Sequence, residues 1–455
     1  MKKPFILVSM LTALLLTACG GGNNGGGDDS SQGGGDNSQD PNAPIVLINP
    51  EDTSMLSANC KAYIDDMRAL QEEAEDEDPY KPYKYHEIDL NIEDSTKGYL
   101  DTGDVNGQNR TVNGSIPDRS DKSQGVELKF EVKEGYEADE YKVLVSDNAN
   151  FTNAKELKTT GNSVSAKNLF VNTQYYWKVV AGDEESAPMT FTTGDYPRWI
   201  LARSLTGEEG GRGIYNVRDM GGYMTESGKR VKQGLVFRGG EITTMTNSGH
   251  YNTITEVAKK AFREDMGMVG GVELDLRGAG DISDGYKACG FAENGDIEYQ
   301  QIAIKSYEET FTKNGSGQNN PTQAKASVAA IFELLNNADQ KPVYYHCFGG
   351  ADRTGTIGFL LNGLLGVSYE DLVIDFELTS YSSINNEHIR NHLQGHQHQY
   401  DRWPALINQL QTDTTNGYAW DADALLKDNI ENYLVTACLV PQTTINHIRS
   451  IMLED

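Results

Sequence analysis

The sequence has 455 residues, enough for two or three domains, and 38% of them are hydrophobic, so a buried core is expected. The formal net charge at pH 7 is -28. So acidic a chain has no basic surface to bind the phosphate backbone of a nucleic acid. We therefore expect no nucleic-acid partner, and an anionic substrate would need a local positive pocket.

Residues 1–19 form a predicted export signal. Basic residues at positions 2 and 3 precede the apolar run Phe5–Leu16, which is too short to cross a bilayer because a spanning helix needs about 20 residues. The run ends in Leu16-Thr17-Ala18-Cys19, which resembles the lipobox of bacterial lipoproteins. The resemblance implies that Cys19 is lipidated and anchors the protein to the bacterial cell envelope, with its folded part outside the cytoplasm. An ordinary secretory signal is the alternative.

Residues 20–43 are almost entirely Gly, Asn, Asp, Ser and Gln, a composition that cannot bury apolar surface. We expect a disordered tether that reaches on the order of 25–30 Å. Residues 44–118 give no clear fold, although Ser57–Glu75 has the apolar spacing of a helix. Asp104 opens a segment that hints at a calcium loop, but its later positions do not fit one, so a polar turn is favoured.

Residues 119–195 alternate between apolar and polar positions, which predicts a small all-β sandwich. The predicted strands are Val126–Val132, Tyr141–Val145, Leu169–Val179 and Met189–Thr193. The third of them resembles the sixth strand of fibronectin type III domains, with Tyr175 as the corner tyrosine, although Val171 stands where that family usually has proline. The module would act as a spacer, which we favour, or would bind a partner.

From residue 196 to residue 455, strands alternate with helices, which predicts an α/β domain with a central, mostly parallel sheet flanked by helices. A capping box at Ser368 opens the last of the predicted helices. The predicted strands are Val272–Leu276 and Val343–Tyr345, and the predicted helices are Ala324–Leu335, Ile357–Leu365 and Tyr369–Thr379.

The segment His346-Cys347-Phe348-Gly349-Gly350-Ala351-Asp352-Arg353-Thr354-Gly355 links a predicted strand to a predicted helix. Such a loop turns successive backbone N–H groups into one concavity at a helix N-terminus, which is an anion site. A cysteine held there is stabilised as the thiolate. The arginine six positions later supplies a planar fork that matches two phosphate oxygens. The alternative is a buried structural cysteine beside a glycine-rich turn.

This segment resembles the signature loop of cysteine-dependent protein tyrosine phosphatases. Three segments earlier in the chain resemble bacterial tyrosine phosphatases that also act on phosphoinositides, and they occur in the order typical of that family. They are Asn216–Tyr223, Gly234–Gly239 and Leu274–Arg277. The resemblance covers roughly residues 197–455. It implies that the α/β domain is a cysteine-phosphatase catalytic domain that requires neither a metal nor another cofactor.

The resemblance also implies the roles of individual residues. Cys347 would attack phosphorus to form a phosphocysteine, while Arg353 would clamp the phosphate oxygens. Thr354 would help the sulfur to leave, and His346 would orient the loop. The phosphate would be bound at Phe348, Gly349, Gly350, Ala351, Asp352 and Arg353, with support from the side chains of Asn216, Arg218, Asp219, Asp275 and Arg277.

A general acid must also protonate the leaving oxygen. The resemblance indicates Asp352, which would then be catalytic together with Cys347 and Arg353, and the non-catalytic interpretation is a loop acid that orders backbone amides. The alternative acids are Asp275, Asp281 and Asp284.

The substrate class depends on position 351. Relatives that act on phosphoinositides often carry lysine there, whereas this chain has Ala351. We therefore expect a phosphotyrosine protein or peptide as substrate, with a phosphoinositide as the alternative. The rival hypothesis from another class is an inactive surface adhesion or scaffold protein, which the presence of Cys347, Arg353 and Asp352 argues against.

Two sets of residues remain open. His388, His392 and His396 would share a helix face, with His398 nearby, but a solvated face is favoured over a metal site. The other cysteines, Cys60, Cys289 and Cys438, allow at most one disulfide among them.

Overall fold

The computed structural model describes residues 39–56, several positions within 58–68, and 124–200, 214, 216–242, 244–245, 251–252, 256–278, 281, 296–381 and 402–454. Residues 37–455 form one compact unit. The predictions for the export signal, for most of the tether, for the Asp104 segment and for Asp284, Cys289 and the four histidines lie outside the described residues. Within 58–68, the described positions are helical.

An all-β sandwich forms the N-terminal part of the described chain. In one sheet β2 pairs with β1 on one side and with β5 on the other, and in the second sheet β3 and β6 are central, with β4, β7 and β8 beside them. The strands are β1 (Ile45–Ile48), β2 (Gly125–Val132), β3 (Tyr141–Ser146), β4 (Lys155–Thr159), β5 (Ser163–Lys167), β6 (Gln174–Ala181), β7 (Glu184–Glu185) and β8 (Met189–Thr192). The fully buried Trp177 lies in the core between the sheets.

The sandwich differs from the sequence prediction in three places. Strand β1 comes from the segment that had no predicted fold, and β4, β5 and the two-residue β7 were not predicted. The strand predicted from Leu169 begins only at Gln174, because Asn168 and Asn172 have positive φ and turn the chain. Leu169 and Val171 are nevertheless buried, which is why the alternating pattern extends past the strand.

The α/β part contains a five-stranded sheet within the described residues, in the order β14-β13-β15-β10-β9. The first four strands are parallel to one another and only β9 is antiparallel, as the sequence predicts. The strands are β9 (Arg218–Asp219), β10 (Val236–Gly239), β13 (Val272–Asp275), β14 (Glu298–Gln301) and β15 (Val343–His346), with a separate hairpin of β11 (Thr244–Met245) and β12 (Tyr251–Asn252).

Helices surround this sheet, and none of those in the described residues is long and apolar enough to cross a membrane. The helix bounds are α1 (Glu256–Lys260), α2 (Glu309–Thr312), α3 (Pro321–Leu335), α4 (Asp352–Leu365), α5 (Tyr369–Glu377), α6 (Arg402–Thr412), α7 (Leu426–Asn432) and α8 (Gln442–Met452). Short π-helical turns, Ala261–Asp265 and Tyr433–Ala437, and 3₁₀ turns, Leu378–Tyr381 and Thr415–Gly417, continue or connect them.

Helix α4 is the central helix of the domain. It begins directly after the glycine-rich loop and is buried along nearly its whole length. Gly366, with φ of 90°, ends it in the left-handed conformation, where glycine has no steric penalty. The next helix, α5, begins as predicted, with the Ser368 side chain accepting a hydrogen bond from the Asp371 N–H. These two helices therefore fix both sides of the loop.

Candidate active site

The loop His346–Asp352 connects the central strand β15 to helix α4, so it lies at the carboxyl end of a parallel sheet. Gly350 has φ of 67°, and a Cβ atom at this position would lie 2.3 Å from the backbone carbon of Gly239. Only glycine fits here, because both the backbone conformation and the close approach of β10 exclude a side chain. The tight loop is therefore built into the packing of β10 against β15.

Backbone N–H groups of this loop are available to an anion. Among the described residues, no protein acceptor bonds the N–H of Phe348, Gly349, Gly350 or Ala351. Gly349, Gly350 and Ala351 are buried. Buried amides normally have a partner, so a run of amides without one at a helix N-terminus is suited to an anionic ligand.

The surroundings of Cys347 favour the thiolate form of its side chain. Its side chain is 2% exposed and it carries a free thiol. Burial alone would raise its pKa, but the charge of Arg353 and hydrogen bonding from Thr354 lower the pKa below its ordinary value. The Thr354 hydroxyl is buried and has no oxygen or nitrogen partner in the described chain, so it can serve the sulfur. The thiol therefore meets a requirement of a nucleophile at neutral pH.

Arg353 closes the rim of the loop against an aspartate from another segment. Its Nη1 atom lies 2.5 Å from Oδ2 of Asp281, a residue that follows strand β13. Burial alone would raise the pKa of Asp281, but its hydrogen bond and ion pair with Arg353 lower the pKa. Asp281 is thus the alternative acid that the structure places at the site, as an ionised partner of the arginine.

Asn216 holds the outer side of the loop. Its Nδ2 atom donates to the carbonyls of Gly349 and Gly350, each at 3.0 Å, and its side chain is fully buried. Arg238 Nη2 also donates to the Gly350 carbonyl at 3.0 Å. Because these carbonyls are held outward, the loop amides are left to face the concavity. Asn216 therefore bonds the loop directly.

Asp375 on helix α5 joins two buried arginines, and the sequence analysis did not predict its role. Its Oδ1 atom accepts from Arg218 Nε at 2.7 Å, and its Oδ2 atom accepts from Arg238 Nη1. Arg218 also donates to the Asn216 side chain at 2.5 Å. One carboxylate thus pairs with both arginines and connects α5 to Asn216 and the loop. The available signal was Arg238, a charged residue inside an apolar strand, which needs a buried partner.

His346 lies beneath the loop, and each of its ring nitrogens contacts an oxygen atom. Its Nδ1 atom is 3.0 Å from the Cys347 carbonyl and its Nε2 atom is 3.0 Å from Oε1 of Glu273. Both partners are acceptors, so both ring nitrogens donate. Burial alone would lower the pKa of His346, but the charge of Asp275 and the hydrogen bond to Glu273 raise it. Glu273 is a further supporting residue that the sequence analysis missed.

Asp275 and Arg277 form a buried pair beside the loop. Arg277 Nη2 lies 2.6 Å from Asp275 Oδ2, and its Nη1 atom lies 2.6 Å from Oε2 of Glu241. The Glu241 N–H in turn donates to the Phe348 carbonyl. Asp275 is fully buried in these contacts, so it supports the loop and has no access to a leaving group.

Asp219 anchors the sandwich to the α/β part. Its Oδ2 atom lies 2.9 Å from Arg198 Nη1, with both side chains nearly inaccessible to solvent, and it accepts from the Gly234 N–H at 2.8 Å. Arg198 also donates to the Asn168 carbonyl in the sandwich. Asp219 thus holds the chain that leads into β10 and does not contact the loop.

Asp352, the first residue of α4, is half-buried at the site. Its Oδ1 atom accepts a hydrogen bond from the Tyr307 hydroxyl at 2.7 Å. Its charge acts on both Cys347 and Arg353. The structure therefore brings Cys347, Asp352, Arg353 and Asp281 together at one loop. In the described part of the chain, no three potential metal ligands are clustered.

Comparisons with known proteins found a family model and a solved structure that are similar to this chain. A model of the tyrosine phosphatase family matches residues 211–454, more than half of the chain. The structure of the core catalytic domain of the PP-IP phosphatase SIW14 from S. cerevisiae in complex with citrate has 14% sequence identity and a TM-score of 0.23. That match covers 45% of this chain and 91% of the yeast domain. No curated protein matches the chain.

The α/β part is a cysteine-based phosphatase domain, and such domains hydrolyse phosphate esters. The chain belongs to the tyrosine phosphatase family.

Proposed function

We propose that the chain is a protein-tyrosine phosphatase that acts through a phosphocysteine intermediate. The observation that carries the proposal is the loop itself, in which a thiol of lowered pKa, a row of available amides and Arg353 meet at one helix N-terminus. In the first step the Cys347 thiolate attacks phosphorus, and the bond from phosphorus to the tyrosine oxygen breaks. The loop amides and the Arg353 fork stabilise the charge on the transferring phosphoryl group.

Asp352 is the general acid of this proposal. It gives its proton to the leaving phenolate in the first step. In the second step its carboxylate takes a proton from the water that attacks the phosphocysteine, so that inorganic phosphate and the thiolate are regenerated. Asp281 is less suited to this role, because its carboxylate is held ionised by Arg353. Binding of a phosphate would compete with Asp281 for the arginine.

Two features of the loop support phosphotyrosine as the substrate. Ala351 adds no second cation where a polyphosphorylated inositol ring would gain most from one. Phe348 is an exposed aromatic side chain directly after the nucleophile, where it is suited to contact an aromatic leaving group.

We predict that Ala351→Lys narrows the preference of the enzyme for phosphotyrosine. The wild type should hydrolyse phosphotyrosine peptides with a higher kcat/KM than phosphoinositides. A lysine should raise phosphoinositide turnover by roughly tenfold, the effect of one charge-assisted hydrogen bond. Ala351→Met is the matched control, since it adds similar bulk at this 2% exposed position without charge. A wild type that prefers phosphoinositides to every phosphotyrosine peptide tested would refute this substrate class.

We further propose that the protein is an exported bacterial lipoprotein, and that its sandwich is a fibronectin type III-like module. The Tyr175 hydroxyl accepts a hydrogen bond from the Phe170 N–H at 3.0 Å, and this contact supports the fibronectin type III-like module. The buried ion pair of Arg198 with Asp219 supports a spacer role, because it ties the module to the phosphatase part. The lipobox-like sequence supports export and lipid anchoring.

If Cys19 is the anchor, Cys19→Ala and Cys60→Ala should differ in how they partition between membrane and soluble fractions. The wild type should partition into the membrane fraction of expressing bacteria, since several acyl chains on one residue hold a protein stably. Cys19→Ala should be soluble or remain unprocessed, whereas Cys60→Ala should partition as the wild type does. Equal membrane retention of wild type and Cys19→Ala would show that Cys19 is not the anchor.

A further inference from the structure

Tyr307 is a residue of the site for which neither the sequence pattern nor the family resemblance assigned a role. It lies between strand β14 and helix α2, and its side chain is 3% exposed. Its backbone has φ of 54°, a left-handed conformation that is unfavourable for a residue with a bulky side chain. Such a conformation persists only where the surroundings fix it, and it is found preferentially at functional sites.

Thr356 on helix α4 fixes the backbone of Tyr307. The Tyr307 N–H donates to Thr356 Oγ1 at 2.8 Å, and the same hydroxyl donates to the Asp352 carbonyl at 2.9 Å. The Tyr307 ring packs edge-to-face against Phe376, with 6.1 Å between ring centroids. Tyr307 is therefore connected through one side chain to the backbone of the first residue of α4.

The hydroxyl of Tyr307 completes this arrangement. It donates to Asp352 Oδ1 at 2.7 Å, the usual length of an O–H···O hydrogen bond. Asp352 is thus held at both ends, by Thr356 at its carbonyl and by Tyr307 at its side chain. A carboxyl group held in this way keeps one orientation near the sulfur, and general acid catalysis depends on such an orientation.

We propose that Tyr307 is a positioning residue that orients Asp352 for proton transfer to the leaving oxygen. The proposal rests on the role of Asp352 as the general acid. Tyr307 moves no proton itself: the proton goes from Asp352 to the leaving phenolate while the bond from phosphorus to oxygen breaks, and the phenol keeps its own.

Tyr307→Phe tests the proposal, because it removes only the hydroxyl and keeps the ring that packs on Phe376. The measurement is kcat/KM, which reports phosphocysteine formation, for a series of aryl phosphates from p-nitrophenyl phosphate to phosphotyrosine peptide. A poor leaving group needs protonation most. We expect a loss of about five- to tenfold for phosphotyrosine, the effect of one hydrogen bond, and a clearly smaller loss for p-nitrophenyl phosphate. The dependence of rate on leaving-group basicity should therefore become steeper.

Tyr433→Phe is the matched control for a merely structural effect. Tyr433 is also buried, and its hydroxyl donates at 2.7 Å to the carboxylate of Asp413, a residue that is not part of the loop. This variant should lose stability without a change in leaving-group dependence. Asp352→Asn and the double variant with Tyr307→Phe complete the set, and the double variant should be no steeper than Asp352→Asn alone.

The outcomes separate the two proposals. If Asp352→Asn steepens the dependence and Tyr307→Phe leaves it as in the wild type, the positioning role is refuted while the acid role stands. If the two variants steepen it additively, Tyr307 acts through a group other than Asp352, and the proposal is also refuted. A wild-type dependence in Asp352→Asn would refute the acid role itself.

Discussion

Cys347→Ser should reduce phosphatase activity by several orders of magnitude while the fold is retained. The substitution is nearly isosteric, but a serine hydroxyl is not ionised at neutral pH, so the nucleophile is lost. Initial rates with p-nitrophenyl phosphate and with a phosphotyrosine peptide would measure the effect, and circular dichroism would verify the fold. The variant should still bind phosphate, because the loop amides and Arg353 remain.

Cys438 provides the control for this prediction. It is another buried free thiol among the described residues, but burial raises its pKa, so we expect no reactivity at neutral pH. Cys438→Ser should retain the turnover of the wild type per folded molecule, and iodoacetamide should inactivate both proteins equally. Activity of more than a few per cent in Cys347→Ser would contradict the assignment of the nucleophile.

Asp375→Asn should destabilise the domain by about 3–5 kcal/mol, because it leaves the buried Arg218 and Arg238 without a counter-charge. The free energy of unfolding from chemical denaturation would measure this loss. Asp371→Asn on the same helix is the matched control. Its ion pair with Arg68 is partly exposed and spans 3.9 Å, and such pairs contribute about 1 kcal/mol or less. A loss in Asp375→Asn no larger than in the control would contradict the account of the network.

The same network predicts how stability depends on pH. Burial alone would raise the pKa of Asp375, but Arg218 and Arg238 hold it below its ordinary value of 3.8. The stability from a carboxylate of lowered pKa is present above the unfolded-state value and is lost as the pH falls through the folded-state value. The contribution of Asp375 should therefore persist down to about pH 4 and disappear only in stronger acid.

Several parts of this molecule could be predicted from the sequence because the signals are local. The loop string fixes a strand, a tight turn and a helix within a few residues, and Gly350 and Gly366 stand where the backbone has positive φ. The parallel sheet followed from the order of strands and helices. Strands β4 and β5 escaped prediction because their side chains are largely half-buried or exposed, so they carry little apolar pattern.

The supporting contacts could not be predicted, because they join residues far apart in the chain. Asp375 lies 157 positions from Arg218 and 137 from Arg238, and no spacing rule connects them. Tyr307 lies 45 positions before Asp352 in the chain. Its own φ is positive, and without a glycine at that position the sequence gives no sign of this turn. The resemblance named Asn216, Arg218 and Asp219, but only the structure separates Asn216, which donates to the loop carbonyls, from Asp219, which pairs with Arg198.

Detection of the covalent intermediate would test the phosphocysteine mechanism without relying on rates. The enzyme would be mixed with a phosphotyrosine peptide, quenched in acid within one turnover, and digested for peptide mass spectrometry. We predict one phosphoryl group, attached through sulfur to the peptide that contains Cys347, and no such group in Cys347→Ser. Release of phosphate in the first turnover with no phosphoryl group on the protein, or with the group on another residue, would contradict it.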